Sequence, residues 1–294
     1  MKFRYLTNLI LILLVAGLYW YNNQNEPNDD VAKLTSITRD EIQIITISRP
    51  TTDDIVLRKS SSGWQVTHPI KSRANGTRID LLLSLLNTRS HAQLIVNDTH
   101  DNALSQYGLS PAKVTLKLND HVFKIGHNET INNYRYILHN DVIHLIDDDV
   151  APLLHVNATG FIDNRLIPPN HTIRKLELPV RNANNDLSAD PVIIENKEGH
   201  WISMSLDQTS DQLTTLIELW QYAYATRVLT FNMTDQSTAK TAKIRIWYQD
   251  IKQASEFDVE FTENTLFITD QQQLKYQFPA SLFQQLIPAS NITP

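Results

Sequence analysis

The chain has 294 residues, a formal net charge of −6 and no cysteine. The missing cysteines exclude disulfides, thiolate metal sites and cysteine nucleophiles together, and the acidic balance argues against nucleic acid or an anionic membrane surface as a charge-recruited partner. Its 7 glycines are too few for this length to favour a glycine-rich phosphate loop.

Residues 5–21 form a predominantly apolar run behind Lys2 and Arg4. As a helix rising about 1.5 Å per residue, the run reaches roughly 26 Å, enough for a thin hydrocarbon core. Lys2 and Arg4 favour the cytoplasmic side, while Glu26, Asp29 and Asp30 lie beyond the other end. Trp20 and Tyr21 close the run and suit the membrane–water interface. A cleaved secretory signal is the rival reading, but Ala16-Gly17 is followed by the bulky residues Leu18, Tyr19, Trp20 and Tyr21. Residues 1–21 are therefore read as a transmembrane signal anchor and residues 22–39 as a polar tether. The bulk of the chain is then exported, and losing the two positive charges of Lys2 and Arg4 takes its balance from −6 to −8.

A first α+β unit is expected over residues 40–168. It opens with alternating apolar residues at 41–47 and a short β-rich run, Ile55-Val56-Leu57. A glycine turn then leads into Gly63-Trp64-Gln65-Val66. Ile79, Leu82, Leu83 and Leu86 have the spacing that gathers side chains on one helix face. Strands are expected near residues 94–96, 112–116 and 123–125. Between the first two, Gly108 reads as a left-handed stop for a short helix over 102–107, with Pro111 preventing continuation. Gly126 reads as a turn residue, and Asn140-Asp141 as the turn of a hairpin between two further strands. Asp147-Asp148-Asp149 precedes a short helix at 150–155 and suits its N-terminal cap better than a calcium loop.

The same series is then written a second time, over residues 172–290. Ile173–Leu178 matches the first strand, Val192-Ile193-Ile194 the second, and Gly199-His200-Trp201-Ile202 the turn into tryptophan. Leu213, Leu216, Ile217, Trp220 and Tyr224 repeat the helix face, and a strand near 228–231 follows. Further strands fall at 242–246 and 257–259, with a closing helix at 280–287. The two tryptophans stand 137 residues apart and the later strands 130 to 134, so the copies differ by small loop insertions, one of them at 180–189.

Several short motifs of the first copy occur in consistent order: Gly63-Trp64-Gln65-Val66 with His68-Pro69, Ala74, Tyr107-Gly108-Leu109-Ser110-Pro111, Lys124-Ile125-Gly126 and Tyr134-Arg135-Tyr136-Ile137. On these residues the chain resembles the bacterial domain-of-unknown-function family 4340, over residues 40–168 directly and over the second copy only through the duplication. The resemblance implies a membrane-anchored envelope protein of the kind that accompanies ABC-type export systems, and it supplies no catalytic or binding residues.

Candidate sites are few. Trp64, Trp201 and Trp220 suit either a ligand-stacking platform or a core anchor, and the large area of an indole favours the anchor. Among the 10 histidines, His139 and His144 flank the hairpin turn and could approach each other, but a zinc site needs a further ligand. Asp53-Asp54 and Glu260 with Glu263 look like solvated turn or strand-edge carboxylates. No G-x-S-x-G elbow or other local nucleophile signature occurs.

The expected fold is thus α+β: an N-terminal transmembrane helix followed by two tandem repeats, each an antiparallel sheet with one main amphipathic helix. The expected protein is single-pass in the inner membrane through residues 5–21, N-terminus cytoplasmic and bulk periplasmic. Lys2, Arg4, Trp20 and Tyr21 would meet the membrane interface. Its expected role is a non-enzymatic accessory or scaffold part of a membrane protein complex, such as an ABC-type system, without cofactor or metal. The alternative is a binding module for an envelope polymer or peptide, using a groove between the repeats, and a periplasmic hydrolase is third.

Overall fold

The computed structural model describes residues 12–20, 32–96, 101–230, 241–262 and 265–290. Strand β1 (Ile44–Arg49) lies between β2 (Thr52–Ser60) and β6 (Val114–Leu118). Its alternating isoleucines set the register. Ile45 faces Leu57 on one side and Leu118 on the other, and Ile47 faces Ile55 and Leu116. All six are buried. Because side chains alternate with period two, a slip by one residue would carry this whole row to the opposite face.

The remaining strands of the first sheet are β3 (Gly63–His68), β4 (Ser72–Arg73), β5 (Ala92–Ile95), β7 (His121–Asn128), β8 (Arg135–His139) and β9 (Val142–Ile146). The second sheet comprises β10 (Ile173–Leu178), β11 (Val192–Lys197), β12 (His200–Ser203), β13 (Arg227–Thr230), β14 (Thr241–Tyr248), β15 (Ser255–Thr262), β16 (Thr265–Thr269) and β17 (Leu274–Pro279). The fold is α+β, with two antiparallel sheets and few helices. Their strand orders are β4-β3-β2-β1-β6-β7-β8-β9-β5 and β12-β11-β10-β14-β15-β16-β17-β13. From β3 onwards the two orders agree strand for strand, and β4 has no counterpart. In the second sheet Leu176 faces Ile194 and Ile246, as Ile45 faces its two leucines.

Residues 12–20 are helical (α1). Among the described residues no helix is long and apolar enough to cross a membrane; the rest of the expected anchor, with Lys2, Arg4 and Tyr21, lies outside them. Helix α2 (Gly76–Leu83) buries Ile79, Leu82 and Leu83, and the turn Ser84–Asn87 that follows buries Leu86, as the spacing predicts. Two short helices, α3 (Asp101–Ser105) and α4 (Ala151–Leu154), follow. Helix α5 (Ser210–Gln221) begins with a reciprocal cap: the Gln212 N–H donates to the Thr209 hydroxyl, and the Thr209 N–H donates to the Gln212 side chain. It buries Leu213, Leu216, Ile217 and Trp220, and the Trp220 indole donates to the Leu286 carbonyl of α6 (Ala280–Leu286) at 2.9 Å. Tyr224 does not extend this face. The helix has ended, and Ala223 and Ala225 exchange backbone hydrogen bonds with Leu166 and Asn164, leaving Tyr224 exposed.

The chain packs as two compact units. The smaller takes the described residues of Met1–Glu41, Ser84–Lys113 and Val122–Asp149. Its organising feature is a docking of two backbones. The Gly108 N–H bonds the Ser105 carbonyl and the Leu109 N–H bonds the Leu104 carbonyl, with Gly108 at φ 70, which is the expected left-handed helix stop. Leu104 and Leu109 then bury together with Ile143. Gly126 is not a turn residue. It lies inside β7, where a Cβ would stand 2.3 Å from the Tyr107 carbonyl oxygen. The His127 N–H donates to that same carbonyl at 2.9 Å, so the helix-stop segment lies directly on the strand. Arg135 completes the arrangement by donating to the Gly126 carbonyl and forming a two-point ion pair with Asp148.

The larger unit takes the described residues of Ile42–Leu83, Val114–His121 and Val150–Pro294. The segment joining the two sheets runs through it as a buried strap: Phe161, Ile162, Asp163, Asn164, Leu166 and Ile167 are all shielded. Its two polar members have partners. Asp163 accepts from Arg73 and Arg165, and the Asn164 amide donates to the Ala225 carbonyl.

Gly126→Ala should lower the unfolding free energy by about 1–3 kcal/mol, the usual cost of forcing extra volume into a packed site. Gly76, around which a Cβ meets nothing within 4 Å, provides the control. Gly76→Ala should leave stability unchanged or slightly raised. Urea titration of both variants checks this, and equal midpoints would contradict the docking described.

Candidate functional site

The three candidate tryptophans are not gathered at one place. Trp64 and Trp201 are half-buried near the starts of β3 and β12, and Trp220 is fully buried in the α5–α6 contact. Trp20 is exposed on α1. His139 and His144 do share one face of the β8–β9 hairpin: His144 faces Ile137, two residues from His139. His139 bonds the Val122 carbonyl through Nδ1, stacks on Phe123 and takes a hydrogen bond from Asn140 at Nε2. The His144 Nδ1 bonds Ser90. Burial, and secondarily the His139 charge, pushes the His144 pKa down. No group of three metal-ligating side chains occurs among the described residues.

Two carboxylate readings need correction. Asp147 and Asp148 do not cap α4, whose cap residue is Val150 without a side-chain bond. They bond other side chains instead, Asp147 the His91 ring and Asp148 the Arg135 guanidinium. Glu260 is not a solvated edge residue. It is buried and paired with Lys275 at 2.9 Å, while Lys275 also sits over the Phe267 ring. Asp53 and Asp54 are exposed, and Glu263 lies outside the described residues.

The site with the most convergent chemistry was not singled out from the sequence. In the larger unit an open cleft of about 460 Å³ lies among β3–β4, the end of the strap and the β14–β15 and β16–β17 turns. Its floor holds Arg73, Tyr248 and Tyr276, with His171, Asp270 and Lys71 around them. Arg73 reaches it because β4 turns back along β3, pairing Arg73 with Gln65. Its guanidinium donates to Asp163 at 3.1 Å and to the Arg165 carbonyl at 2.6 Å. The strap holds this arrangement from below, since the Asp163 N–H donates to the Arg73 carbonyl.

The other groups are equally fixed. Burial pushes the pKa values of Tyr248 and Tyr276 up, so both phenols stay neutral. Asp270 accepts backbone N–H bonds from Gln272 and Leu274 at Oδ1, each at 2.9 Å. Burial nevertheless raises its pKa, against the pull of those bonds and of Arg73. His171 bonds Asp250 through Nδ1 at 2.7 Å, with its ring tilted against Tyr248. Such a pairing orients an imidazole as a hydrolase base is oriented. Among the described residues no hydroxyl is bonded to His171. The cavity is of the size that holds small ligands or a short polymer segment.

The family model described as a domain of unknown function, DUF4340, matches residues 64–243. The chain belongs to this family. The match runs from Trp64 well into the second sheet, further than the short motifs between Gly63 and Ile137 reach, and takes in Arg73, the strap and His171. Tyr248, Asp270 and Tyr276 lie beyond it. Comparison with curated proteins finds no match, and comparison with solved structures finds none.

Asp270→Asn keeps an Oδ1 acceptor for both backbone N–H groups and removes a carboxylate that burial disfavours. The folded pKa lies above the ordinary 3.8, so this group's favourable contribution is complete below 3.8 and is lost as pH rises through the folded value. The variant should therefore match or exceed the wild type at pH 7, and the wild type should gain on it as pH falls towards 4. Denaturation midpoints across that range check the sign; a wild type that gains on the variant with rising pH would contradict it.

Proposed function

We propose that the chain is a membrane-tethered accessory or scaffold subunit of a bacterial envelope complex, working by binding rather than catalysis. Residues 5–21 anchor it in the inner membrane, and two tandem α+β repeats form its periplasmic body. The shared strand order of the two sheets supports the duplication, and the resemblance to companions of ABC-type export systems supports the setting.

The observation that carries the binding role is the cleft. Its polar groups come from chain positions as distant as Gln65 and Tyr276, and Arg73, His171, Glu256 and Asp270 are held by intramolecular partners. Preorganised donors and acceptors of this kind recognise a ligand without first giving up conformational freedom. The cleft also favours the alternative of a binding module for an envelope peptide or polymer, with one change from the sequence-based expectation. Its aromatic rings are those of His171, Tyr248, Phe257 and Tyr276, not Trp64, Trp201 or Trp220.

The test is purification of the full chain from its membrane in mild detergent, with the co-purifying proteins identified by mass spectrometry. Membrane-transport subunits should be recovered at stoichiometric levels. Reproducible recovery of the chain alone would overturn the accessory role.

A further inference from the structure

We infer that the cleft of the larger unit receives the C-terminal end of a peptide, with the terminal carboxylate at Arg73 and Lys71. The inference rests on the reading of this chain as a binding subunit and names what it binds.

Charge is the first argument. Asp163 is the carboxylate bonded to Arg73, but Arg165 also bonds it, so one negative charge serves two guanidinium groups. Glu256, on the cleft wall, is bonded to Arg245 at 2.9 Å. Asp270 is the remaining acid of the lining, and its burial works against its charged form. Lys71 adds a cation at the exposed rim. Asp250, bonded to His171, and Glu177, which shares Arg245 with Glu256, add negative charge elsewhere, so it is at Arg73, Arg165 and Lys71, which stand against Asp163, that an incoming anion is favoured. Arg73 can take one: its side chain is 32% exposed, and the Asp163 and Arg165 bonds occupy two of the five N–H donors a guanidinium has. A planar guanidinium matches a carboxylate by two parallel hydrogen bonds, which a point charge does not do.

The second argument separates a peptide from a sugar. Tyr248, Tyr276 and Phe257 are only 2%, 4% and 7% exposed, so they do not offer open ring faces on which a sugar could stack. Gln65, Gln271 and Gln272 instead put three carboxamides around the cleft. Each combines a carbonyl with N–H donors, the same pair that a peptide group presents. Capture of a C-terminal carboxylate next to paired amide contacts is an established mode of peptide recognition.

The test is isothermal titration of the full chain in detergent with two hexapeptides of one sequence, ending in a free acid or an amide. The acid should bind at least tenfold more tightly, and added salt should weaken it, as Coulomb attraction at a part-exposed cation requires. Arg73→Gln should abolish the difference. Because that change also strips a partner from buried Asp163, Lys71→Glu is the second variant; the residue is exposed, and the substitution should weaken acid binding about fivefold or more while leaving the melting temperature unchanged. Equal affinities for acid and amide would overturn the inference, as would tighter binding of a uronic-acid oligosaccharide. Failure of both peptides with envelope partners still co-purifying would overturn this inference alone. Tight binding of the acid by a chain that purifies without partners would support it and overturn the accessory role.

Discussion

One buried carboxylate carries much of the larger unit. Asp163 sits in the strap between the two sheets, where its side chain accepts from two arginines and its own N–H holds the Arg73 carbonyl. A charge this well shielded is tolerable only while its cations stay in place; removing one partner of such a pair typically costs about 3–5 kcal/mol. The constraint propagates outward. Arg73 is fixed by Asp163, and β4, with its side of the cleft, is fixed through Arg73. On the other side, Asn164 and Leu166 pair with Ala225 and Ala223, which sets where α5 must end.

The residues that carry the family resemblance have a different task. Tyr107, Gly108, Leu109, Gly126 and Arg135 come together in the smaller unit, where the two glycines let a helix stop lie against a strand. A Cβ on Gly108 would enter the His127 ring, and one on Gly126 would enter the Tyr107 carbonyl. Each glycine is required by the other's segment. Motifs separated in sequence by about the length of a strand hairpin are thus two halves of one packing solution. This explains why they can be diagnostic of a family without marking a site.

What the sequence made legible follows from the range of each interaction. The strands around β1, the faces of α2 and α5, and the Gly108 stop are written in local periodicity or a single turn residue, and the structure places them accordingly. Errors occurred where a distant group decided the outcome. Gly126 looked like a turn residue until the Tyr107 carbonyl was brought against it. The aspartates at 147 and 148 looked like caps until His91 and Arg135 claimed them, and Glu260 looked solvated until Lys275 covered it. The cleft was out of reach for the same reason. Arg73, His171, Asp270 and Tyr276 have no common spacing, and only the sheet order and the strap bring them together. Arg73 lies one residue before Ala74 of the recognised series, but nothing local distinguishes it from a surface arginine.

The cleft also owes its existence to a departure from symmetry. The two sheets share one strand order, and a protein made only of that shared part would have equivalent edges beyond β3 and β12. The first sheet adds β4, a strand of two residues, and one of those residues is Arg73. Beyond β12 the second sheet has no such addition; its corresponding segment leads to the N-cap of α5, with Ser210 accepting from the Trp201 N–H. So the strands common to both orders supply the walls, while β4, which the second sheet lacks, supplies the cation. Two sheets of one strand order yield a directional site when one of them carries a feature that the other lacks, and in this chain that feature is two residues long.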